Sequence, residues 1–229
     1  MKHTGKARKA ALKLILISLV TGLVLWVLLF VGSVLSTILL GIIVPVLVVG
    51  WLLFAIFTLY FFRDPRAKVP AESKVVLSPA HGKVDVIDTL AEPLFMKGEC
   101  QRISIFLSVM NVHVQNAPVS GKVAFYRYST GQFLNALRTE SAQHNENVLL
   151  GFDASEPDRC KVGVRLIAGV IARRIVPFVK EGDDVVRGDR ISLIQFGSRA
   201  DVYLPKDARI RVKVGDAVVG GETILATLP

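Results

Sequence analysis

The first residues that suggest chemistry are a Gly-Ser pair, Gly197-Ser198, within the stretch LIQFGSRADVYLP. Apolar and β-branched residues run up to Phe196 and resume at Val202, which is typical of a β-strand interrupted in its middle. Glycine weakens a strand interior and marks a bend, a bulge or a close backbone approach. A serine hydroxyl is a weak nucleophile without a base. On the residues alone, Ser198 is typical of a turn serine in a β-sandwich.

Histidines and arginines elsewhere in the chain have the side chains that such a serine would need. His113 lies in NVHVQNAP and His81 lies in SPAHGKV. Imidazole exchanges protons near neutral pH, although a lone histidine in an alternating strand is more often structural. Arg173 and Arg174 are adjacent, and guanidinium groups bind phosphate and carboxylate well. Surface charge near a membrane is the alternative role for this arginine pair.

The chain has 229 residues, 52% of them hydrophobic, and the hydrophobic excess lies near the N-terminus. Residues 14–62 are 49 consecutive positions without Asp, Glu, Lys or Arg. A bilayer core takes about 20 residues of helix. The run therefore predicts two membrane-spanning helices, at 12–31 and 37–62, joined by a turn in GSVLST. A cleaved signal peptide is the alternative for the first segment, but no small-residue cleavage site comes after it.

Basic residues flank both predicted helices, five before the first and three after the second. Because basic flanks stay on the cytoplasmic side, we expect a protein of the inner (cytoplasmic) membrane whose soluble part faces the cytoplasm. The net charge of +9 then reflects topology and attraction to anionic lipid. The sequence has no basic-aromatic module for nucleic acid, so nucleic acid is not an expected partner. Cys100 and Cys160 form no CxxC pair and are expected to be reduced thiols.

This pattern divides the chain into four regions. They are a basic cytoplasmic tail at 1–13, a two-span transmembrane hairpin at 14–62, a linker at 63–74 and a β-rich domain at 75–229. In the last region, short β-branched segments alternate with Gly, Pro and Asp, which predicts a mainly β fold.

Two internal repeats give that fold more detail. VKEGDDVVRGD at 179–189 recurs as VKVGDAVVGGE at 212–222, and SPAHGKV at 78–84 shares P-x-x-G-K-V with APVSGKV at 117–123. Repeated half-units of this sort resemble the flattened β-sandwich of biotinyl and lipoyl carrier domains. They predict a barrel-sandwich-like domain with the Gly-Ser pair at the carrier hairpin, between the two halves.

The main exception to the strand pattern is GQFLNALRTESAQHNEN, at 131–147. It predicts a short helix or a substrate-facing loop, and STGQFLNA at 129–136 predicts a lid or lipid-contacting loop. His144 and Glu146 are further polar candidates beside it.

Seven segments taken in order resemble the short-form, membrane-associated phosphatidylserine decarboxylases. They are FFRDP, SPAHGKV, FLSVMNVHVQNAPVSGKV, GQFLNA, NEN, AGVIARRIV and FGSRADVYLP. The resemblance covers nearly all of the chain from about residue 60 to its end, and the order of the segments makes it specific. It implies a self-processing lyase that converts phosphatidylserine to phosphatidylethanolamine and CO₂, with an anionic phospholipid and the membrane as partners.

The resemblance also implies how Ser198 acts. In that family the motif serine attacks the carbonyl of the preceding glycine, and the resulting ester breaks by β-elimination. The serine remnant becomes a pyruvoyl group. Cleavage between Gly197 and Ser198 would leave a β chain of 1–197 and an α chain of 198–229. A pyruvoyl group is an electron sink, as pyridoxal phosphate is, so we expect neither pyridoxal phosphate nor a metal.

The same resemblance implies other site residues. His113 matches the histidine that the family uses for proton transfer, and Arg173 and Arg174 match a basic pair that suits an anionic head group. Two carboxylates of the family are absent. His81 stands where the family usually has the aspartate of SPADG, which takes part in self-cleavage, and Asn111 stands where many relatives have aspartate.

Three possibilities for the missing base remain open. His81 itself acts on Ser198; or Asp85 or Asp88 supplies the negative charge; or the chain is processed slowly or not at all. Asp85 and Asp88 lie three and seven residues after His81, so in a regular strand they face the opposite side unless a bulge intervenes. The alternation favours His81.

Two other functions remain open on the sequence alone. One is a non-enzymatic membrane-anchored β-sandwich, such as a carrier-like or adaptor module, which would stay an intact chain. The other is a decarboxylase of another serine-headed lipid, since the sequence does not report lipid tails. Exposed sheet edges are compatible with a homodimer.

Overall fold

The computed structural model describes residues 5–31, 37–131, 145–169, 174–195 and 198–229. The predicted turn in GSVLST lies almost wholly outside the described residues. Most of 131–147, the segment predicted to be a short helix or loop, does too, His144 included.

Two apolar helices form the first compact unit, residues 5–64. They are α1, Lys6–Val31, and α2, Thr37–Phe61, which is continuous through Pro45. The Trp51 indole donates a hydrogen bond to the Ser18 hydroxyl at 2.7 Å, which ties one helix to the other. Both helices are long and apolar enough to cross a membrane. Most of their large apolar side chains are exposed, as lipid-facing side chains are. The two predicted helices are therefore confirmed.

The second unit holds the strands and begins at Pro65. Its described residues form β1 Val75–Leu77, β2 Gly82–Glu92, β3 Gly98–Leu107, β4 Val114–Asn116, β5 Gly121–Ser129, β6 Asn147–Ser155, β7 Asp158–Ala168, β8 Arg174–Pro177, β9 Asp184–Val185, β10 Arg190–Gln195, β11 Ser198–Leu204, β12 Arg209–Ile210, β13 Ala217–Val218 and β14 Ile224–Thr227.

Across the described residues these strands form three antiparallel sheets. The largest has the order β13-β2-β3-β11-β7-β6-β5-β9, and two three-stranded sheets have the orders β1-β14-β12 and β4-β10-β8. One face of the large sheet is apolar, because alternate residues such as Ile105, Ala200 and Leu166 point into the main core. The mainly β prediction is confirmed, and β11 lies inside the large sheet between β3 and β7.

The internal repeats correspond to two matching turns. We call 117–123 with 179–189 the first repeat unit, and 78–84 with 212–222 the second. In the first, the Gly182 N–H donates to the Val123 carbonyl at 2.8 Å; in the second, the Gly215 N–H donates to the Val84 carbonyl at 2.8 Å. Both glycines have positive φ, which explains why the repeat keeps glycine there. The predicted repeat is confirmed.

The hairpin suggested by carrier domains is wrong. A hairpin needs its two strands to pair with each other. In the described residues β10 pairs with β4 and β8, whereas β11 pairs with β3 and β7. The chain therefore passes from one sheet to another at the Gly-Ser pair.

Residues 65–72 run against both repeat units. The Arg187 guanidinium donates to the backbone carbonyls of Pro70 and Glu72 at 2.8 and 2.7 Å. A methyl group placed on Gly188 would overlap the Val69 side chain. One on Gly221 would overlap the side chain of Ala67. We call this segment the strap, and its packing makes it part of the β unit.

Candidate functional site

The Gly-Ser pair joins strands of two different sheets. β10 ends at Gln195, in a three-stranded sheet, and β11 begins at Ser198, in the large sheet. Gly197, the residue predicted to lose its bond to Ser198, lies outside the described residues. The bond predicted to break therefore lies in a short connection between sheets rather than inside one ladder.

Ser198 lies on the apolar face of the large sheet. It pairs with Leu107 of β3 and with Ala168 of β7, and its side chain shares the face of Ala200 and Val202, which belong to the main core. Ser198 is fully buried, and its hydroxyl has no hydrogen-bond partner among the described residues. A buried hydroxyl without a partner is costly, and such exceptions call for a functional explanation.

The chain also passes from the large sheet to the sheet of β10 between β7 and β8. β7 ends at Ala168, which pairs with Ser198, and β8 begins at Arg174, which pairs with Gln195. The residues on each side of the Gly-Ser connection therefore pair with the residues on each side of the 169–173 connection. Arg174 is exposed at this point. Arg173, its predicted partner in substrate binding, lies outside the described residues.

Two residues that directly precede β6, Asn145 and Glu146, contact the end of β7. The Asn145 side chain donates to the Ala168 carbonyl at 2.8 Å, and the Ala168 N–H donates to the Glu146 carbonyl at 2.9 Å. Partial burial, and then the negative charge and hydrogen bond of Glu146, raise the pKa of Tyr128, while Arg174 opposes that rise. A carboxylate, a phenol and a guanidinium thus act on one another where β5 ends and where β6 and β8 begin.

His113 lies beside the strand that leads into the Gly-Ser pair. It is fully buried, and its backbone carbonyl accepts the Ile194 N–H at 3.1 Å. The imidazole Nδ1 is 2.9 Å from the Asn111 carbonyl oxygen. Because a carbonyl only accepts, Nδ1 carries the hydrogen, and the basic lone pair of the neutral ring is on Nε2. Asn111 thus has a positioning contact through its backbone.

His81 lies further along the large sheet. It precedes β2, in a turn that lies against Gly220 of the second repeat unit, and the Asn116 side chain at the end of β4 lies against the same glycine. β3 runs between β2 and β11. Neighbouring strands are about 4.8 Å apart, so the backbones of His81 and Ser198 are separated by about 10 Å or more. In the described part of the chain, neither His81 nor His113 is hydrogen-bonded to the Ser198 hydroxyl.

Both aspartates considered as substitutes are paired with arginines. Asp85 binds the guanidinium of Arg199 with contacts of 2.5 and 3.2 Å, and Asp88 binds Arg102 at 2.6 and 2.9 Å. A bulge between Val84 and Val86 interrupts the alternation at Asp85, so a simple count from His81 does not apply beyond it. Arg199 comes directly after Ser198 and so points to the opposite face, away from the serine hydroxyl.

Arg199 belongs to a buried polar network on that opposite face. Asp201 accepts a hydrogen bond from Ser104 at 2.5 Å and has Arg102 3.8 Å away. Burial raises the pKa of Asp201, while the Ser104 hydrogen bond and the arginine charges act to lower it. Arg165 lies opposite Asp201 in the ladder. The strand that presents Ser198 to an apolar face is therefore held by ionic groups behind it.

Sequence reasoning missed several of these residues. Arg199 and Asp85 are separated by 114 positions, so their pairing was not visible in the sequence, although a buried arginine requires a carboxylate partner. Asn145 lies inside the NEN segment. That segment contributed to the family resemblance, but it did not indicate which residues Asn145 contacts. Tyr128 carried no sequence signal.

A protein-family model described as phosphatidylserine decarboxylase matches residues 54–226 of this chain. The chain is 44% identical over 178 residues to the phosphatidylserine decarboxylase proenzyme of Desulfotalea psychrophila, covering 78% of this chain and 82% of that protein. It is also 44% identical over 178 residues to the proenzyme of Gluconobacter oxydans, with 76% and 78% covered. The proenzyme of Symbiobacterium thermophilum is 42% identical over 175 residues, with 76% and 80% covered.

Proposed function

Because this chain belongs to the phosphatidylserine decarboxylase family, we propose that it cuts itself between Gly197 and Ser198 and decarboxylates phosphatidylserine to phosphatidylethanolamine and CO₂. The observation that carries the proposal is the Ser198 hydroxyl, which is buried, lacks a hydrogen-bond partner among the described residues and begins the strand after the Gly-Ser connection. A turn serine of an inert sandwich would be expected at the surface or bonded to its own turn.

The cleavage step needs no reactant besides the chain itself and water. The Ser198 oxygen attacks the Gly197 carbonyl carbon, the peptide C–N bond breaks and an ester forms. Loss of the Ser198 α-proton then expels the Gly197 carboxylate from the β-carbon. The remaining dehydroalanine takes up water and releases ammonia, which leaves a pyruvoyl group at the start of 198–229. The apolar setting of Leu107 and Ala168 suits this group, and that carbonyl supplies the electron sink for loss of CO₂.

We propose His113 as the group that moves protons at this site. Its support is the Nδ1–H bond to Asn111, which leaves Nε2 basic, and its attachment to β10 beside the scissile connection. His81 remains the second candidate for self-cleavage, although an intervening strand separates its backbone from Ser198. Candidate bases often reach their target only after rearrangement, so each histidine needs a substitution of its own.

Arg174 and the two helices support a lipid substrate. Arg174 is exposed beside Gln195, where a guanidinium can bind the phosphate or carboxylate of a head group; we propose the same role for Arg173. Basic flanks on both helices support a location in the cytoplasmic membrane with the β unit in the cytoplasm. A protease added to sealed inside-out membrane vesicles should then digest the β unit, whereas protection in those vesicles would contradict this orientation.

Intact mass measurement of the purified full chain tests the proposed cleavage. We expect two pieces, 1–197 and a blocked 198–229, and decarboxylation of phosphatidylserine in detergent micelles. Ser198→Ala should give only the uncut chain without activity. An uncut wild-type chain would favour the adaptor function instead. Comparing phosphatidylserine with an ether-linked serine lipid shows whether the substrate is another serine-headed lipid.

His113→Ala and His81→Ala separate the two histidines. We expect His113→Ala to lose decarboxylation by a factor of about 100 or more, and His81→Ala to be cut at nearly the wild-type rate. Failure of His81→Ala to be cut, with His113→Ala cut normally, would assign the base for self-cleavage to His81.

A further inference from the structure

We infer that Glu146 is a positioning residue that holds the strands on either side of the Gly197–Ser198 bond in the geometry that self-cleavage needs. This role rests on the cleavage between Gly197 and Ser198 proposed above. It assigns to Glu146 no contact with substrate.

Glu146 binds both ends of the 169–174 segment. Its backbone carbonyl accepts the Ala168 N–H at 2.9 Å, and its carboxylate accepts the Ile175 N–H at 3.1 Å. The neighbouring Asn145 side chain adds a bond to the Ala168 carbonyl at 2.8 Å. Glu146 therefore links the end of β7 to the start of β8, and Asn145 reinforces the β7 end.

Strand pairing links β7 and β8 to the strands on either side of the scissile bond, because β7 pairs with β11 and β8 pairs with β10. Ala168 pairs with Ser198, and Ile175 pairs with Ile194. Each strand next to the scissile bond is thus one ladder away from a residue that Glu146 holds. Attack by the serine oxygen needs near-contact with the preceding carbonyl carbon, and a displacement of about 1 Å can cost about 100-fold in rate.

The Glu146 side chain has fixed surroundings. The residue is 6% exposed. Its negative charge contributes to the raised pKa of Tyr128 on the neighbouring strand β5. A buried side chain that is bonded to the Ile175 N–H has little freedom to move.

Substitutions at position 146 separate positioning from charge. Glu146→Gln keeps an acceptor for the Ile175 N–H and a partner for Tyr128, whereas Glu146→Ala removes both. Glu146→Asp keeps the charge but shortens the side chain by one methylene, so that the carboxylate no longer reaches the same N–H. Glu181→Ala, at an exposed glutamate in the first repeat unit, is the matched control.

The experiment is cell-free synthesis of the full chain in detergent micelles, with the 198–229 piece monitored over time by mass spectrometry. We expect Glu146→Ala to be cut about 100-fold more slowly than wild type and Glu146→Asp to be slowed as well. Glu146→Gln and Glu181→Ala should be cut near the wild-type rate. Hydroxylamine, which cleaves esters, should not restore cutting of Glu146→Ala, because the slow step precedes ester formation.

The outcomes separate this role from the proposed function. An uncut wild-type chain would overturn the proposed cleavage itself. Normal cutting of both Glu146→Ala and Glu146→Asp, with wild type also cut, would overturn only the role of Glu146. Equal slowing of Glu146→Gln and Glu146→Ala would overturn positioning in favour of a need for charge. If Glu146→Ala fails to fold, judged by thermal unfolding, Glu146→Asp and Glu146→Gln decide between these results.

Discussion

The two repeat units of the β unit have the same turn, yet only the first leads into the connection that we propose to be cut. After the first, β10 ends at Gln195 before the Gly-Ser pair; after the second, β14 ends at Thr227, close to the C-terminus. The same local structure is therefore followed once by the Gly-Ser connection and once by the last strand, β14. The difference lies in the segment after the turn, since in the first unit that segment continues through Ser198 into a different sheet.

The comparison also bears on His81. In the first unit Ser120 occupies the matching position, and its hydroxyl accepts the Arg187 N–H at 2.9 Å. In the second unit His81 lies against Gly220, which corresponds to Arg187. The position thus lies against the matching turn in both copies. We expect a structural role for His81, which the substitution below tests.

The largest expected effect comes from the glycines that face the strap. Gly188 and Gly221 have φ of 87° and 74°, and a methyl group on either would overlap Val69 or Ala67. Each alanine would strain the backbone and would also displace the strap. We therefore expect Gly188→Ala and Gly221→Ala each to lower the free energy of unfolding by about 3 kcal/mol. Thermal unfolding of the full chain in detergent should show midpoints lower by about 6–12 °C.

The rate of self-cleavage should distinguish the two repeat units. Because Gly188 precedes β10, Gly188→Ala should also slow the release of 198–229, whereas Gly221→Ala should not. Equal slowing by both would mean that the second unit also controls the junction. Gly182→Ala and Gly215→Ala are the controls. Both have positive φ with open space around the added methyl group, so they should cost only about 1–2 kcal/mol each.

A smaller effect is expected from the aspartates of the two turns. Asp183 accepts the Lys180 N–H and Asp216 accepts the Lys213 N–H, each at 3.0 Å. Losing one such bond at an exposed turn should cost about 1 kcal/mol. Asp183→Ala and Asp216→Ala should therefore shift the unfolding midpoint by the same amount. A difference larger than about 1 kcal/mol would show that the turns are not energetically equivalent.

The smallest effect is expected for His81→Ser, which gives the second unit the residue of the first. A serine there can accept the Gly220 N–H as Ser120 accepts that of Arg187. We expect a stability change within about 0.5 kcal/mol and normal cutting, measured by thermal unfolding and intact mass. Loss of cutting with unchanged stability would assign chemistry to His81 rather than turn closure.

Local patterns predicted much of this molecule. The uncharged run predicted α1 and α2, and the repeated Gly-Asp predicted both turns, because these signals act over a few residues. The site was predicted in part. Ser198 and His113 were indicated by their motifs, and their contacts were not.

The remainder depends on pairing between distant segments. The position of β11 between β3 and β7 depends on long-range ladders, and local alternation does not report which strands neighbour each other. A bulge at Asp85 changed the face that a simple count assigns. Asn145 and Glu146 reach Ala168 only because β6 and β7 pair, so their contacts could not be read from the NEN segment.

The position of β11 has a consequence for the order of folding and cutting. All seven of its residues are buried, and β12 and β14 of the same C-terminal piece form a sheet with β1 from the other. Before cleavage, residues 198–229 are covalently joined to the rest of the chain. For a flexible link, this corresponds to an effective concentration of one segment around the other of about millimolar. Cleavage removes that advantage. We expect a cut molecule to persist through slow unfolding and, once its two peptides separate on dilution, not to reassemble.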